Sequence, residues 1–288
     1  MRFRRSTFAA GLAVAALTLS ACGGGEDEPV TEVEESPEFE AGTTMAELAE
    51  ADSITIGTKF DQPLFGLRGP SGDPEGFDVE IGKLIAAELG IEPENIEWVE
   101  TVSANRESFI EEGRVDIVVA TYTINDARKE RVDFAGPYFV AGQTLLVLEE
   151  NTDINGPEDL AGKTVCTVEG STPAENIREN FPEAELSLTD AYGNCLEPLR
   201  NGQVDAVTTD NVILSGFVDQ NPGEFKIVGE PFTEEPYGIG LQKGDDAFRD
   251  FINDVLEESY ENGAWAEAWE KTAGTVLETP EPPAVDRY

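Results

Sequence analysis

Apolar residues along this chain occur either in short continuous runs or at helical spacing. Apolar runs predict strands at residues 54–58, 115–120, 144–148, 163–168 and 204–208. Apolar positions that recur every three or four residues predict helices at residues 77–89, 103–112, 194–201, 246–261 and 264–272, with another that begins at Pro173. Strands and helices that alternate in this way favour an α/β fold.

One short segment occurs twice. Residues 113–118 read GRVDIV and residues 202–207 read GQVDAV, and each follows a predicted amphipathic helix. The first strand leads into Thr-Tyr-Thr at 121–123 and the second into Thr-Thr-Asp at 208–210, so both end in polar residues. Two similar α/β units that face one another would place both polar ends in one cleft, although a repeat this short also arises by chance.

The end of the first repeated strand carries candidate ligands for an anion. Thr121 and Thr123 follow the strand directly, and Arg128 lies on a short helix predicted after the next turn. Ligands of open α/β sheets bind beyond the carboxyl ends of the strands, and the arginine fork matches a carboxylate. These residues therefore predict a site for one small anion. The alternative is an ordinary strand–helix unit in which Arg128 pairs with Asp126 or Glu130.

The first residues have the pattern of an export signal. Arg2, Arg4 and Arg5 precede an apolar run at residues 8–19, which is too short to span a bilayer by itself. Residues 1–21 are therefore predicted to be a signal peptide.

A lipid-attachment pattern follows the apolar run. Residues 19–22 read LSAC, which resembles the bacterial lipobox and implies cleavage before Cys22 and lipidation of its thiol. The alternative is a plain secretory peptide with an incidental cysteine. Residues 22–44 are acidic and contain no basic residue, which predicts a lipidated, disordered tether before a globular part that begins at residue 45.

The remaining cysteines and the absence of histidine limit the chemistry. With Cys22 lipidated, Cys166 and Cys195 are left as a pair, and export favours a disulfide between them, the alternative being two buried thiols. The chain has no histidine, so it has no Ser-His-Asp triad, and two cysteines alone do not make a zinc site. No metal or other cofactor is expected.

The charge balance excludes one class of partner. The chain has 59 acidic and 19 basic residues, which gives a formal net charge of −40 at pH 7. Such a surface repels nucleic acid, so no nucleic-acid partner is expected. The negative charge of the whole protein would repel an anionic ligand, so a site for such a ligand would have to bring several of the few basic residues together.

Further candidate ligand-binding residues follow other predicted strands. Lys59 follows the first strand, Arg106 begins a helix, and Asp210 ends the second repeated strand. Ser171 and Thr172 stand between the strand that contains Cys166 and the helix that begins at Pro173. Together with Thr121, Thr123 and Arg128, these residues predict one small-molecule site.

Several motifs at these positions resemble the polar-amino-acid-binding proteins that serve ABC importers, the family 3 type, and among them the glutamate-binding lipoproteins. The resemblance covers residues 54–272 and is carried by KFDQP at 59–63, TYTIN at 121–125, Arg128, GSTPA at 170–174 after Cys166, Tyr192 with Cys195, and YGIGL at 237–241. It implies a periplasmic-binding-protein-like fold of type II, in which two α/β domains are joined by two crossover strands, near 143–148 and 232–239. The first lobe would comprise residues 45–143 and 236–288, and the second lobe residues 144–235.

The resemblance also assigns roles. Arg128 would hold the α-carboxylate of the ligand, beside Thr123 and the backbone of Thr121. Ser171 and Thr172 would donate from a helix start, where the helix dipole favours anions. Asp210 would bind the α-ammonium group.

Lys59 and Arg106 remain as candidates for a second carboxylate, on the side chain of the ligand. Many relatives that bind neutral or basic ligands have an acidic residue at the position of Lys59, so this chain is expected to bind glutamate or aspartate, with glutamine and asparagine still open. As simpler alternatives, Lys59 is a solvated lysine, Arg106 pairs with Glu107 or Glu111, and Asp210, like Ser171 and Thr172, caps a helix.

The predicted function is therefore capture of a free amino acid and its delivery to an ABC permease. We expect a monomer, anchored by its lipid at the outer face of the cell membrane, and not an enzyme. Two alternatives stay open: a sensor that acts through a partner protein, and a dehydratase-like enzyme in which Glu169 or Asp61 serves as the carboxylate base.

Overall fold

The computed structural model of the chain describes residues 33–35, 37–70 and 72–288. The predicted signal peptide, the lipobox and Cys22 lie outside these residues. Within the described ranges, no helix has both the length and the apolar character needed to cross a membrane.

The secondary structure alternates between strands and helices, as the hydrophobic pattern predicts. The strands are β1 (Ile54–Thr58), β2 (Asp61–Gln62), β3 (Gly66–Leu67), β4 (Ile96–Glu100), β5 (Ile117–Val118), β6 (Asp133–Ala141), β7 (Gln143–Leu148), β8 (Thr164–Val168), β9 (Glu185–Thr189), β10 (Ala206–Asp210), β11 (Phe225–Val228) and β12 (Glu235–Leu241). The helices are α1 (Thr44–Ala51), α2 (Phe77–Glu88), α3 (Arg106–Glu111), α4 (Asp126–Lys129), α5 (Thr172–Asn180), α6 (Leu196–Arg200), α7 (Asn211–Gln220), α8 (Asp246–Asn262) and α9 (Ala264–Lys271).

Ten of the described strands form two five-stranded sheets, one in each lobe, and β2 and β3 pair as a separate two-stranded sheet. In the first sheet the order is β4-β1-β5-β12-β6, with β1 parallel to β4 and β5 and with β12 antiparallel to β5 and β6. In the second sheet the order is β11-β7-β10-β8-β9, with β8 parallel to β9 and β10 and with β7 antiparallel to β10 and β11. Parallel strands with helical connections make both lobes α/β, which confirms the predicted fold class.

The chain passes between the sheets twice, and the two crossings lie side by side. The first crossing is at Gly142, between β6 and β7, and the second is the segment between β11 and β12. A Cβ atom on Gly142 would lie 2.6 Å from Cβ of Pro231, so only glycine permits this approach. The Gln143 N–H donates to Oγ1 of Thr233 at 3.0 Å, and the Phe232 N–H donates to the Gln143 carbonyl at 2.9 Å. These bonds tie the two crossings into one hinge region.

The strand predicted at residues 115–120 is shorter in the structure, where only Ile117–Val118 pairs as a strand. The chain then turns, since Thr121 has a φ of +43°. The turn is held by Asp78, whose carboxylate accepts a hydrogen bond from the Thr121 N–H at 2.7 Å. After the turn the chain continues beside β12, because the Gly238 N–H donates to the Tyr122 carbonyl and the Ile124 N–H donates to the Pro236 carbonyl.

The core of each lobe fixes these elements in place. In the first lobe, Phe77 of α2 makes edge-on contacts with Phe65, Trp265 and Trp269, and all four side chains are buried. In the second lobe, Cys166 of β8 and Cys195 form a disulfide, which confirms the predicted pairing. The disulfide joins β8 to the turn that precedes α6, next to the end of β8 that carries the site.

Part of the predicted disordered tether is packed against the first lobe. The Glu34 N–H donates to the Ala87 carbonyl, Pro37 lies against Gly90, and the ring of Phe39 lies 5.5 Å from that of Phe251. This differs from the predicted tether, which extends to residue 44. The acidic composition dominates the local pattern, so the few apolar residues that make these contacts do not stand out in the sequence.

Candidate functional site

The ends of β5, β8 and β10 and the turn that begins α3 meet at a cleft between the lobes. The cavity between these elements has a volume of only about 10 Å³, which is room for about one water molecule, so the cleft is closed in this structure. Its lining is almost entirely polar and comes from both lobes: Ser103, Arg106, Thr121, Thr123, Ser171, Thr172, Pro173, Tyr192, Asp210 and Ile213. A lining of this polarity suits a small, polar ligand, which would enter when the lobes separate.

Two buried arginines approach each other at one side of the cleft. Nη2 of Arg128 and Nη2 of Arg106 lie 3.2 and 3.5 Å from the same carbonyl oxygen, that of Gly170 in the second lobe. Both guanidinium groups also lie over the ring of Tyr122, with Cζ 5.1 and 4.2 Å from its centroid. Burial and the Arg128 charge lower the pKa of Arg106 to about 10, so this group stays cationic at neutral pH. The pair is a concentrated positive site in an acidic protein.

The other partners of the two arginines are not the neighbouring carboxylates that the sequence offers as alternatives. Arg128 donates to the Thr123 carbonyl at 2.6 Å, and its Nε lies 3.3 Å from Oε1 of Glu107, so its partner carboxylate is neither Asp126 nor Glu130. Arg106 donates to the backbone carbonyls of residues 103, 120 and 121. Backbone carbonyls orient a guanidinium group without neutralising it, which leaves its charge available to an anion.

Asp78 holds the turn at Thr121 in place. It is completely buried in the first turn of α2 and accepts hydrogen bonds from the Thr121 N–H and, at 2.6 Å, from the Tyr138 hydroxyl. Burial raises the pKa of Asp78 to about 7, although both hydrogen bonds act in the opposite direction. Asp78 does not stand out in the sequence, because an acidic residue in the first turn of a helix is common at the surface.

The second lobe contributes the start of α5. Ser171 caps that helix, because its Oγ accepts from the Ala174 N–H at 3.2 Å and donates to the Val168 carbonyl at 2.7 Å. The Thr172 hydroxyl donates to Oε2 of Glu235 at 2.6 Å. A hydroxyl has one proton, so in this arrangement neither side chain has a free donor for a ligand.

Asp210 faces the cleft from the end of β10. Its Oδ2 accepts from the Tyr237 hydroxyl at 2.5 Å, whereas its Oδ1 is buried and has no hydrogen-bond partner among the described residues. The side chain does not cap α7, although it stands at the N-terminus of that helix. Burial and the charge of Glu235 raise the pKa of Asp210 to about 7. The carboxylate therefore has an unsatisfied acceptor where a cation would stabilise it.

Lys59 is buried behind the cleft and does not belong to its described lining. Its side chain is 4% exposed, and its Nζ donates at 2.8 Å to Oγ of Ser103, which does line the cleft. Burial and the Arg106 charge lower the pKa of Lys59 to about 7. It is therefore not a solvated surface lysine, and its charge can act on the cleft only across Ser103.

The burial of Lys59 has a cost that can be measured. Because its folded pKa lies below the unfolded value of 10.5, the unfolded chain binds more protons between about pH 7 and 10, and stability rises with pH across that window. Lys59→Met removes this cost but also the hydrogen bond to Ser103. The net effect is expected to be a rise of about 1–3 kcal/mol in the free energy of unfolding of the ligand-free protein at pH 6.5. Urea unfolding at pH 6.5 and 9 measures this gain, which should shrink at pH 9. A constant gain would contradict the burial argument.

The two carboxylates considered as catalytic bases lie outside the described lining of the cleft. Glu169 is exposed and pairs with Arg178 at 2.8 Å, and Asp61 accepts from the Gly193 N–H at 3.4 Å. In the described part of the chain, no group of three or more His, Cys, Asp or Glu side chains is arranged to hold a metal ion.

The sequence profile of the bacterial extracellular solute-binding proteins, family 3, matches residues 54–275. The chain belongs to this family. The match spans both lobes and every strand of the two sheets, and it confirms the resemblance stated for the motifs.

Individual relatives agree with the family. The glutamate-binding protein GluB of Corynebacterium efficiens is 42% identical over 274 residues, which cover 91% of this chain and 88% of that protein. The ABC transporter glutamine-binding protein GlnH of Bacillus subtilis is 39% identical over 229 residues, which cover 79% of this chain and 84% of that protein. A solved structure of an ancestral arginine-binding protein bound to glutamine has a TM-score of 0.72 and 36% identity, and covers 77% of this chain and 97% of that one. These relatives are binding proteins and not enzymes.

Proposed function

We propose that this family member binds an acidic amino acid, with glutamate favoured, between its lobes and delivers it to the permease of an ABC importer. The observation that carries the proposal is the pairing of opposite charges across the cleft. The first lobe presents the guanidinium groups of Arg106 and Arg128, and the second lobe presents the unpartnered Oδ1 of Asp210. An α-amino acid carries one group for each of them.

This division of charge makes closure depend on the ligand. Neither lobe alone satisfies both the carboxylate and the ammonium group, so the ligand binds the closed form more tightly than the open form. In the structure the Gly170 carbonyl stands beside both arginines, at the place where a carboxylate would compete for the same donors. We infer that the α-carboxylate binds Arg128 and the backbone around Thr121 and Thr123.

The choice of glutamate rests on Lys59 and on the relatives. Lys59 adds a third buried cation behind Ser103, and a second carboxylate on the ligand would be attracted to it. The relatives carry names for both glutamate and glutamine binding, which marks these two ligands as the ones to distinguish.

Export and anchoring complete the proposal. We infer that residues 1–21 direct export, that Cys22 carries a lipid, and that the monomeric protein works at the outer face of the cell membrane. A family of extracellular binding proteins supports the location, and the LSAC sequence supports the anchor.

The function is tested by calorimetric titration of the purified protein, unfolded and refolded to remove bound amino acids. The panel is glutamate, aspartate, glutamine, asparagine, arginine and histidine. We expect tight binding of glutamate or aspartate and weaker binding of glutamine. Binding of none of the six would refute the proposed ligands and leave the family assignment in place.

Lys59→Met is expected to lower the affinity for glutamate by about tenfold and to leave that for glutamine nearly unchanged, because only the charged side chain loses an attraction. In the wild type the preference for glutamate should also fall as the pH rises from 6 to 9, since Lys59 loses its proton above about pH 7. Lys83→Met is the matched control, because Lys83 pairs with Glu80 on α2. Equal losses for both ligands would rule out a role in selectivity.

A further inference from the structure

Glu235 occupies an unusual position at the start of β12. Its side chain is 3% exposed, and among the described residues it forms no salt bridge. A buried carboxylate without a cation is costly unless hydrogen bonds replace its hydration. Here three hydroxyls donate to it: Thr123 and Thr172 to Oε2 at 2.7 and 2.6 Å, and Thr233 to Oε1 at 2.8 Å.

The three donors belong to three different parts of the molecule. Thr123 follows β5 in the first lobe, Thr172 begins α5 in the second lobe, and Thr233 lies in the second crossing. Thr233 also accepts from the Gln143 N–H of the first crossing, so the Glu235 carboxylate is connected to both crossings. One side chain therefore links both lobes and the hinge region between them.

The bond to Thr172 exists only when the lobes are together. Glu235 is the first residue of β12 in the sheet of the first lobe, one residue outside the predicted range of that lobe, which began at 236. It therefore remains close to Thr123 when the lobes separate, whereas Thr172 moves away with α5. This bond differs from the contacts of Gly170 with the two arginines, because those donors are the ones that an anionic ligand would take. The bond between Glu235 and Thr172 can therefore persist with or without a ligand.

We propose that Glu235 is a closure latch: a positioning residue, without contact to the ligand, that stabilises the closed form through Thr172. The latch gives the ligand-free protein a measurable closed population and slows the release of bound ligand. The inference rests on the proposed function for its biological meaning, since it concerns the opening of the same cleft. The balance between the open and closed forms of the ligand-free protein does not depend on which ligand binds.

The test measures the distance between the lobes in the purified, ligand-free protein. Spin labels on Glu112→Cys in the first lobe and Glu183→Cys in the second use exposed positions, and the native cysteines of the second lobe are paired in the disulfide. Glu235→Ala is expected to raise the ratio of open to closed protein roughly tenfold, the size expected for one hydrogen bond to a charged group. Glu234→Ala is the matched control, because Glu234 is its exposed neighbour.

A second variant separates the latch from a general effect on folding. Thr172→Val removes only the donor of the second lobe and should shift the ratio by a similar factor. The double variant should shift it by less than the sum of the two single shifts, since both changes remove the same bond. The Thr172 hydroxyl also lies 3.2 Å from Oγ1 of Thr123, so a small further shift from that contact is expected. If Glu235→Ala fails to fold, Thr172→Val alone decides.

Three results would overturn the latch: no detectable closed population in the ligand-free protein, the same distances in Glu235→Ala as in Glu234→Ala, or additive shifts in the double variant. Failure of the amino-acid titration would leave these distances unaffected. A wrong ligand and a wrong latch are therefore distinguishable.

Discussion

Arg128→Ala is expected to lower the affinity for the bound amino acid by about 2–5 kcal/mol, which is a loss of about 30-fold or more. The side chain is 6% exposed and is held in place by the Thr123 carbonyl and by Glu107. Its neighbour Arg106 is held by three backbone carbonyls of its own and would have to leave them to take its place. Arg128→Lys should lose most of the same affinity, because an ammonium group does not present the two parallel donors of the guanidinium fork. Calorimetric titration with glutamate and glutamine measures both variants.

The control for this prediction is Arg131→Ala. Arg131 is exposed and pairs with Glu111, and its removal should leave the affinity unchanged. A ligand without an α-carboxylate, 4-aminobutyrate, should bind wild type and Arg128→Ala equally weakly. Micromolar binding of glutamate by a folded Arg128→Ala protein, checked by its thermal unfolding, would refute the assignment of the α-carboxylate to Arg128.

Asp210→Asn is expected to cost at least about 2 kcal/mol of binding free energy for any ligand with an α-ammonium group. The substitution keeps the shape of the side chain and removes the negative charge that faces the ammonium group. It should not destabilise the ligand-free closed form, because burial raises the pKa of Asp210 to about 7 and the ionised carboxylate is unfavourable there without a cation.

Glutarate provides the sharpest control, since it has the two carboxylates of glutamate and no ammonium group. Its affinity should be equal or higher for Asp210→Asn than for the wild type, while that of glutamate falls. Asp219→Asn, at an exposed position near the end of α7, should change neither. If glutamate and glutarate lose affinity in parallel, Asp210 acts through the structure of the cleft and not on the ammonium group.

Several residues of the cleft lining are predictable from the sequence, because they follow strands. Thr121, Thr123 and Asp210 stand at the ends of the two repeated strands, and strand ends are where open α/β sheets present their ligands. The cysteine pair is predictable for a different reason, since an exported chain with two cysteines left over favours a disulfide.

The residues that support the site were not predictable. Asp78 and Glu107 stand on helices, where acidic residues are ordinary, and nothing nearby in the sequence indicates that one holds Thr121 and the other Arg128. Glu235 precedes a recognised motif but bonds to Thr172, 63 residues away. The predicted tether extends further than the structure allows, because its many acidic residues hide the apolar contacts of Pro37 and Phe39.

The sequence by itself determined the α/β class, the family, the order of the elements and the set of polar residues at the strand ends, because these depend on local periodicity and on short motifs. Only the tertiary structure decided which charges are neutralised and which are left for a ligand. Arg106 donates to backbone carbonyls, and Arg128 forms an ion pair with Glu107. Lys59 is buried behind Ser103, and one carboxylate oxygen of Asp210 has no hydrogen-bond partner among the described residues. The physical reason is that the energy of a charge depends on its burial and on partners that are distant in sequence, and both are set by the packing of two lobes across a hinge.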